Sequence, residues 1–100
     1  MGEQRRKYPL VIHFNERRFS EVEIDSHYEL KHPNITDQTI LDLVRLLDGQ
    51  SRIVEIERAG FNYCKASLEW QGKSYRIILT YSNEDSLGVI NAFRVKEIKS

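Results

Sequence analysis

A chain of 100 residues with 40% hydrophobic side chains is long enough for one domain with its own core, and it lacks the weakly hydrophobic, highly charged signature of disorder. Its 15 basic and 15 acidic residues cancel, which excludes a nucleic-acid binder held by bulk positive charge; RNA or DNA contact needs a local cationic patch. No apolar run approaches the roughly 20 residues of a membrane helix and no secretory signal is visible, so the expected location is cytoplasmic, with no membrane partner.

In chain order, residues 1–7 form a polar, basic lead-in expected to be loose. Tyr8–Phe14 alternates, with Tyr8, Leu10, Ile12 and Phe14 on one face. The polar turn Asn15-Glu16-Arg17-Arg18 joins it to Phe19–Asp25, and the two runs predict an N-terminal hairpin. Ser26 and Glu29 have capping-box spacing for a short helix, which Pro33 ends. Ile40, Leu43, Val44 and Leu47 then mark the buried stripe of a helix over about residues 37–48, capped by Thr36 or Asp37 and closed by Gly49.

Beyond Gly49 the period changes to two. Strands are expected over Ser51–Arg58, Phe61–Trp70, Ser74–Tyr81 and Val89–Val95, with Gln71-Gly72-Lys73 as a tight turn. The order ββααββββ predicts one α+β domain, an antiparallel sheet of about four to six strands with one or two helices on one face. The domain spans residues 1–100, with the hairpin at 8–25 and the rest of the core at 26–96.

Some residues can carry chemistry. His27 and Lys31 are i, i+4 neighbours in a helical turn, with His32 beside them. A histidine next to a lysine suits acid–base work with charge stabilisation; the alternative is a solvated helix start. Two histidines without a thiolate or carboxylate set are too few for a metal, so neither metal nor cofactor is expected. Arg76 and Thr80 share a strand face and Arg94 lies on the last strand, which is expected to pair with theirs. Arginine suits phosphate through its planar donors, so the three are read together as an anion site, against the alternative of solvent-face positions paired with Glu55 or Glu57. Tyr63 and Lys65 share a face and are the best RNA contacts among the aromatic strands, where packing is the competing role. Cys64, the sole cysteine, reads as a small buried hydrophobe.

The segment His27-Tyr28-Glu29-Leu30-Lys31-His32-Pro33 precedes an amphipathic helix ending in Asp48-Gly49. A strand meander follows, with Gly72-Lys73-Ser74-Tyr75-Arg76 and a terminal Val89-Ile90-Asn91-Ala92-Phe93-Arg94-Val95. Over residues 26–96 this pattern resembles the small RelE-like and barnase/EndoU/colicin-like RNase toxins. The resemblance implies a metal-independent endoribonuclease of a toxin–antitoxin or phage-linked system, leaving a 2′,3′-cyclic phosphate. His27 would then be the acid or base and His32 the second proton-transfer group. Lys31 and Arg76 would hold the scissile phosphate, Arg94 would stabilise its developing charge, and Thr80 would add a hydrogen bond. Implied partners are RNA and an antitoxin or other protein.

A second expectation is a non-catalytic interaction module on the same scaffold, an immunity- or antitoxin-like partner or a small homodimer. Its mark would be an exposed apolar strip or an open sheet edge, for which the last strand and the N-terminal hairpin are the candidates. A DNA-reading helix is discounted, because the long helix carries Arg45 against Asp37, Asp42 and Asp48.

Overall fold

A computed structural model describes residues 5–25 and 35–95. Strands β1 (Arg5–Phe14) and β2 (Arg17–Asp25) precede helix α1 (Asp37–Arg45). Four strands follow: β3 (Val54–Arg58), β4 (Phe61–Trp70), β5 (Lys73–Tyr81) and β6 (Ser86–Val95). They form one six-stranded sheet in the order β1-β2-β6-β5-β4-β3. Sequential neighbours pair antiparallel, whereas β2 and β6 run parallel, from Glu21 beside Ser86 to Ile24 beside Val89.

Local chemistry sets the hairpins. Both central residues of three turns are left-handed: Asn15 and Glu16 (φ 51° and 62°), Ala59 and Gly60 (54° and 84°), Gln71 and Gly72 (53° and 76°). Two-residue turns of this hand match the twist of the strands they join. In α1 the Thr36 side chain accepts from the Thr39 amide at 3.2 Å, which caps the helix. Ile40, Leu43, Val44 and Leu47 are all buried, as their spacing requires. Asp37 in the first turn accepts from Arg6 Nη2 at 2.8 Å and from the Tyr8 hydroxyl, tying β1 to the helix.

The sheet curls so that its inner face and α1 enclose one core. Phe14 and Phe19 meet the Tyr81 ring edge-on, at centroid distances of 6.4 Å and 5.4 Å. Asn15 at the first hairpin tip donates from Nδ2 to the Tyr81 hydroxyl at 3.0 Å and accepts from the Arg52 amide at 2.6 Å. One side chain therefore joins the far end of β1 to the segment that enters β3.

This architecture corrects the expected α+β arrangement of one or two helices on an antiparallel sheet. The fold is mostly sheet, a six-stranded curled half-barrel with a single short helix among the described residues. Long strands that curl bring their own apolar faces together, so a short helix suffices to fill the hollow. The other expected helix, at 26–33, lies outside the described residues. Arg5–Lys7, expected to be loose, begin β1; Arg5 and Lys7 stand 3.4 Å and 3.8 Å from Glu23 and Glu21. The last strand, a candidate open edge, is interior because β2 pairs with it. Val54 and Ile56, two residues apart, are put on opposite faces by a bulge at Glu55.

Candidate RNA-binding face

Strand β5 alternates cleanly. Tyr75, Ile77, Leu79 and Tyr81 are buried on the inner face, so Arg76, Ile78 and Thr80 face outward. Across the β4–β5 ladder, Tyr63 lies directly opposite Thr80, Lys65 opposite Ile78, and Ser67 opposite Arg76. Residues directly opposite one another share a face. Tyr63, Lys65, Arg76 and Thr80, read from sequence as two separate groups, therefore gather on one outer patch of two neighbouring strands.

Lys65 Nζ stands 3.6 Å from Glu55 Oε1, with both side chains about half exposed (49% and 47%), so solvent screens this pair strongly. Arg76 makes no ion pair with the described residues and is half-buried. Neither arginine meets Glu55 or Glu57, the carboxylates considered as partners.

Arg94 does not join this group. Strand β6 carries a bulge: Ile78 lies opposite Asn91, but Leu79 lies opposite Val89. The extra residue changes the alternation of β6, so Ala92 and Arg94 face the inner side with Ile77 and Tyr75, while Phe93 lies opposite Arg76. The anticipated anion site of Arg76, Thr80 and Arg94 is thus corrected. Arg76 and Thr80 share the outer face; Arg94 sits exposed on the other. His27, Lys31 and His32 lie outside the described residues.

Thr80 also borders a shallow, open cleft with Phe61, Ser86, Gly88 and Ile90. Its Oγ1 is buried and makes no hydrogen bond, and a buried hydroxyl ordinarily has a partner. Gly88 makes the close strand approach possible: a Cβ there would lie 2.9 Å from Thr80 Cγ2. Glu23, Asp25 and Glu84 line the cleft against Arg5 alone. The cleft is thus acidic on its β2 side, whereas Lys65 and Arg76 project from β4 and β5.

Phe61 was not singled out from sequence, yet it is 44% exposed beside this cleft. The available signal was its shared parity with Tyr63. Cys64 is buried, and burial pushes its thiol pKa up, which suits an inert core position. Among the described residues no group of three or more His, Cys, Asp or Glu side chains is placed to hold a metal ion, and no helix is long and apolar enough to cross a membrane. Comparison of the chain with protein-family models, curated proteins and solved structures finds no match.

Proposed function

We propose that this protein is a metal-independent endoribonuclease that lays single-stranded RNA across the outer face of β4 and β5. The observation that carries the reading is the convergence of Tyr63, Lys65, Arg76 and Thr80 on that face. An aromatic side chain offers a stacking surface to any base, and neighbouring cations track the backbone. Exposed Phe61 extends the platform.

In this reading Arg76, not Arg94, holds phosphate, because Arg94 is on the opposite face. Cleavage is attack of a ribose 2′-oxygen on the adjacent phosphorus, with departure of the 5′-oxygen. One group takes the 2′-proton and another returns a proton to the leaving oxygen. His27 and His32 are assigned these roles, and Lys31 the phosphate charge.

The test is fluorescence anisotropy with a labelled single-stranded RNA, followed by cleavage in EDTA. Tyr63→Ala and Arg76→Ala are each expected to weaken binding about tenfold, and Lys65→Ala to flatten the salt dependence by about one phosphate contact. His27→Ala is expected to abolish cutting while RNA still binds. RNA binding indifferent to both Tyr63 and Arg76, or no binding at low salt, would remove the outer face from the account.

A further inference from the structure

The bulge in β6 turns a polar side chain onto the outer face. Val89 lies opposite inward-facing Leu79 and Ala92 opposite inward-facing Ile77, whereas Asn91 lies opposite outward-facing Ile78. Asn91 ends the cross-strand row Lys65–Ile78–Asn91 and so carries the patch of β4 and β5 onto β6. We propose that Asn91 selects the base of RNA bound there, favouring uracil and guanine over cytosine and adenine. The inference rests on the outer face binding RNA and adds the choice of sequence.

A side-chain amide ordinarily offers an acceptor and two donors, and with both it pairs with adenine through the amino group and N7 together. Here the acceptor is taken. Asn91 Oδ1 accepts from the Ala92 amide at 2.9 Å. A backbone N–H can only donate, so the oxygen and not the nitrogen must face it. Nδ2 makes no hydrogen bond among the described residues and is not buried. Asn91 therefore presents donors alone to whatever lies on the sheet.

Arg76 and Asn91 are diagonal neighbours across β5 and β6, and such side chains leave the sheet about 7–8 Å apart. A nucleotide whose phosphate sits on Arg76 extends its base away from the sugar, so Asn91 meets the far edge of that base. There uracil and guanine carry a carbonyl oxygen, and cytosine and adenine an amino group. A side chain that only donates pairs with the carbonyl. It meets the amino group donor to donor, which leaves both without a partner. Ile78, between Lys65 and Asn91, gives the base an apolar floor.

Fluorescence anisotropy of the full chain with labelled oligouridylate and oligocytidylate of equal length tests the selection, with circular dichroism to confirm each variant folds. The two bases present O4 and N4 at that edge, and wild type is expected to bind the uridylate about fivefold more tightly. Asn91→Ala should bring the two affinities together. Asn91→Asp keeps an oxygen for the Ala92 amide and replaces the donor by an acceptor. Its preference should therefore turn to the cytidylate, whatever the added charge does to both affinities. Equal binding of the two by wild type overturns the proposal, as does a uridylate preference that survives in Asn91→Ala or Asn91→Asp. Those results leave RNA binding itself standing, whereas binding of neither oligonucleotide removes the outer face and this inference with it.

Discussion

The two edges of the sheet are built on opposite plans. At β1, Pro9 sits within the strand, and a register shift follows between Pro9 and Ile12. Arg5 and Lys7 are paired with carboxylates of β2. The end of the strand is covered: the Gly49 amide donates to the His13 carbonyl at 2.6 Å, and Phe14 bridges to Gln50. Proline, bulges, charge and a covering segment are the usual ways to keep an edge from pairing. At β3 none of its five residues is buried. An edge blunted on one side and left apolar on the other implies that association, where it occurs, has a direction.

The sharpest way to break this comparison is through what lies beneath each edge. Phe14→Ala removes a fully buried ring under β1 and is expected to cost about 3–5 kcal/mol. Ile56→Ala on β3 is expected to change monomer stability by no more than about 0.5 kcal/mol. Urea denaturation at low protein concentration measures both; a costly Ile56→Ala would mean that β3 is packed rather than open.

A smaller effect is expected at the contact joining the two ends. Asn15→Ala leaves the Arg52 amide and the Tyr81 hydroxyl without their partners and places alanine at φ 51°, for an expected loss of about 1–3 kcal/mol. Urea denaturation of the variant checks this.

The smallest effect concerns the cover on β1. Asp48 Oδ1 accepts from the His13 amide at 2.8 Å and lies 3.2 Å from His13 Nδ1. These contacts, the amide first, hold the Asp48 carboxyl below its ordinary pKa. A lowered folded-state pKa gives stabilisation that is present above the ordinary carboxylate range and lost as pH falls through the lowered value. Asp48→Asn should therefore be slightly less stable than wild type at neutral pH, and the gap should close on acidification. Thermal melts across the acid range follow it, and a constant gap would mean that the charge of Asp48 contributes nothing.

Much of the fold was legible because its cause is local. The α1 stripe from Ile40 to Leu47, the Thr36 cap, the Gln71-Gly72 turn and the alternation of β5 each depend on residues a few positions apart. For the same reason Tyr63 with Lys65, and Arg76 with Thr80, could each be placed on a common strand face. Arg94 failed where one extra residue in β6 altered the alternation. Alternation breaks in the same way between Val54 and Ile56, at Glu55. The half-barrel was missed because alternation says that a strand has an apolar face, and not whether a helix or the curl of the sheet covers it.

The amino-acid sequence by itself determined where the chain turns after β1 and after β4, which face of α1 is apolar, and that Tyr63 shares a face with Lys65. Tertiary structure alone decided that β2 lies beside β6, that Arg76 and Arg94 part company, and that β3 is the exposed edge. Side-chain alternation is a property of neighbours along the chain. Register, bulges and strand order are set by backbone pairing between distant segments, where a one-residue slip moves a side chain to the other face.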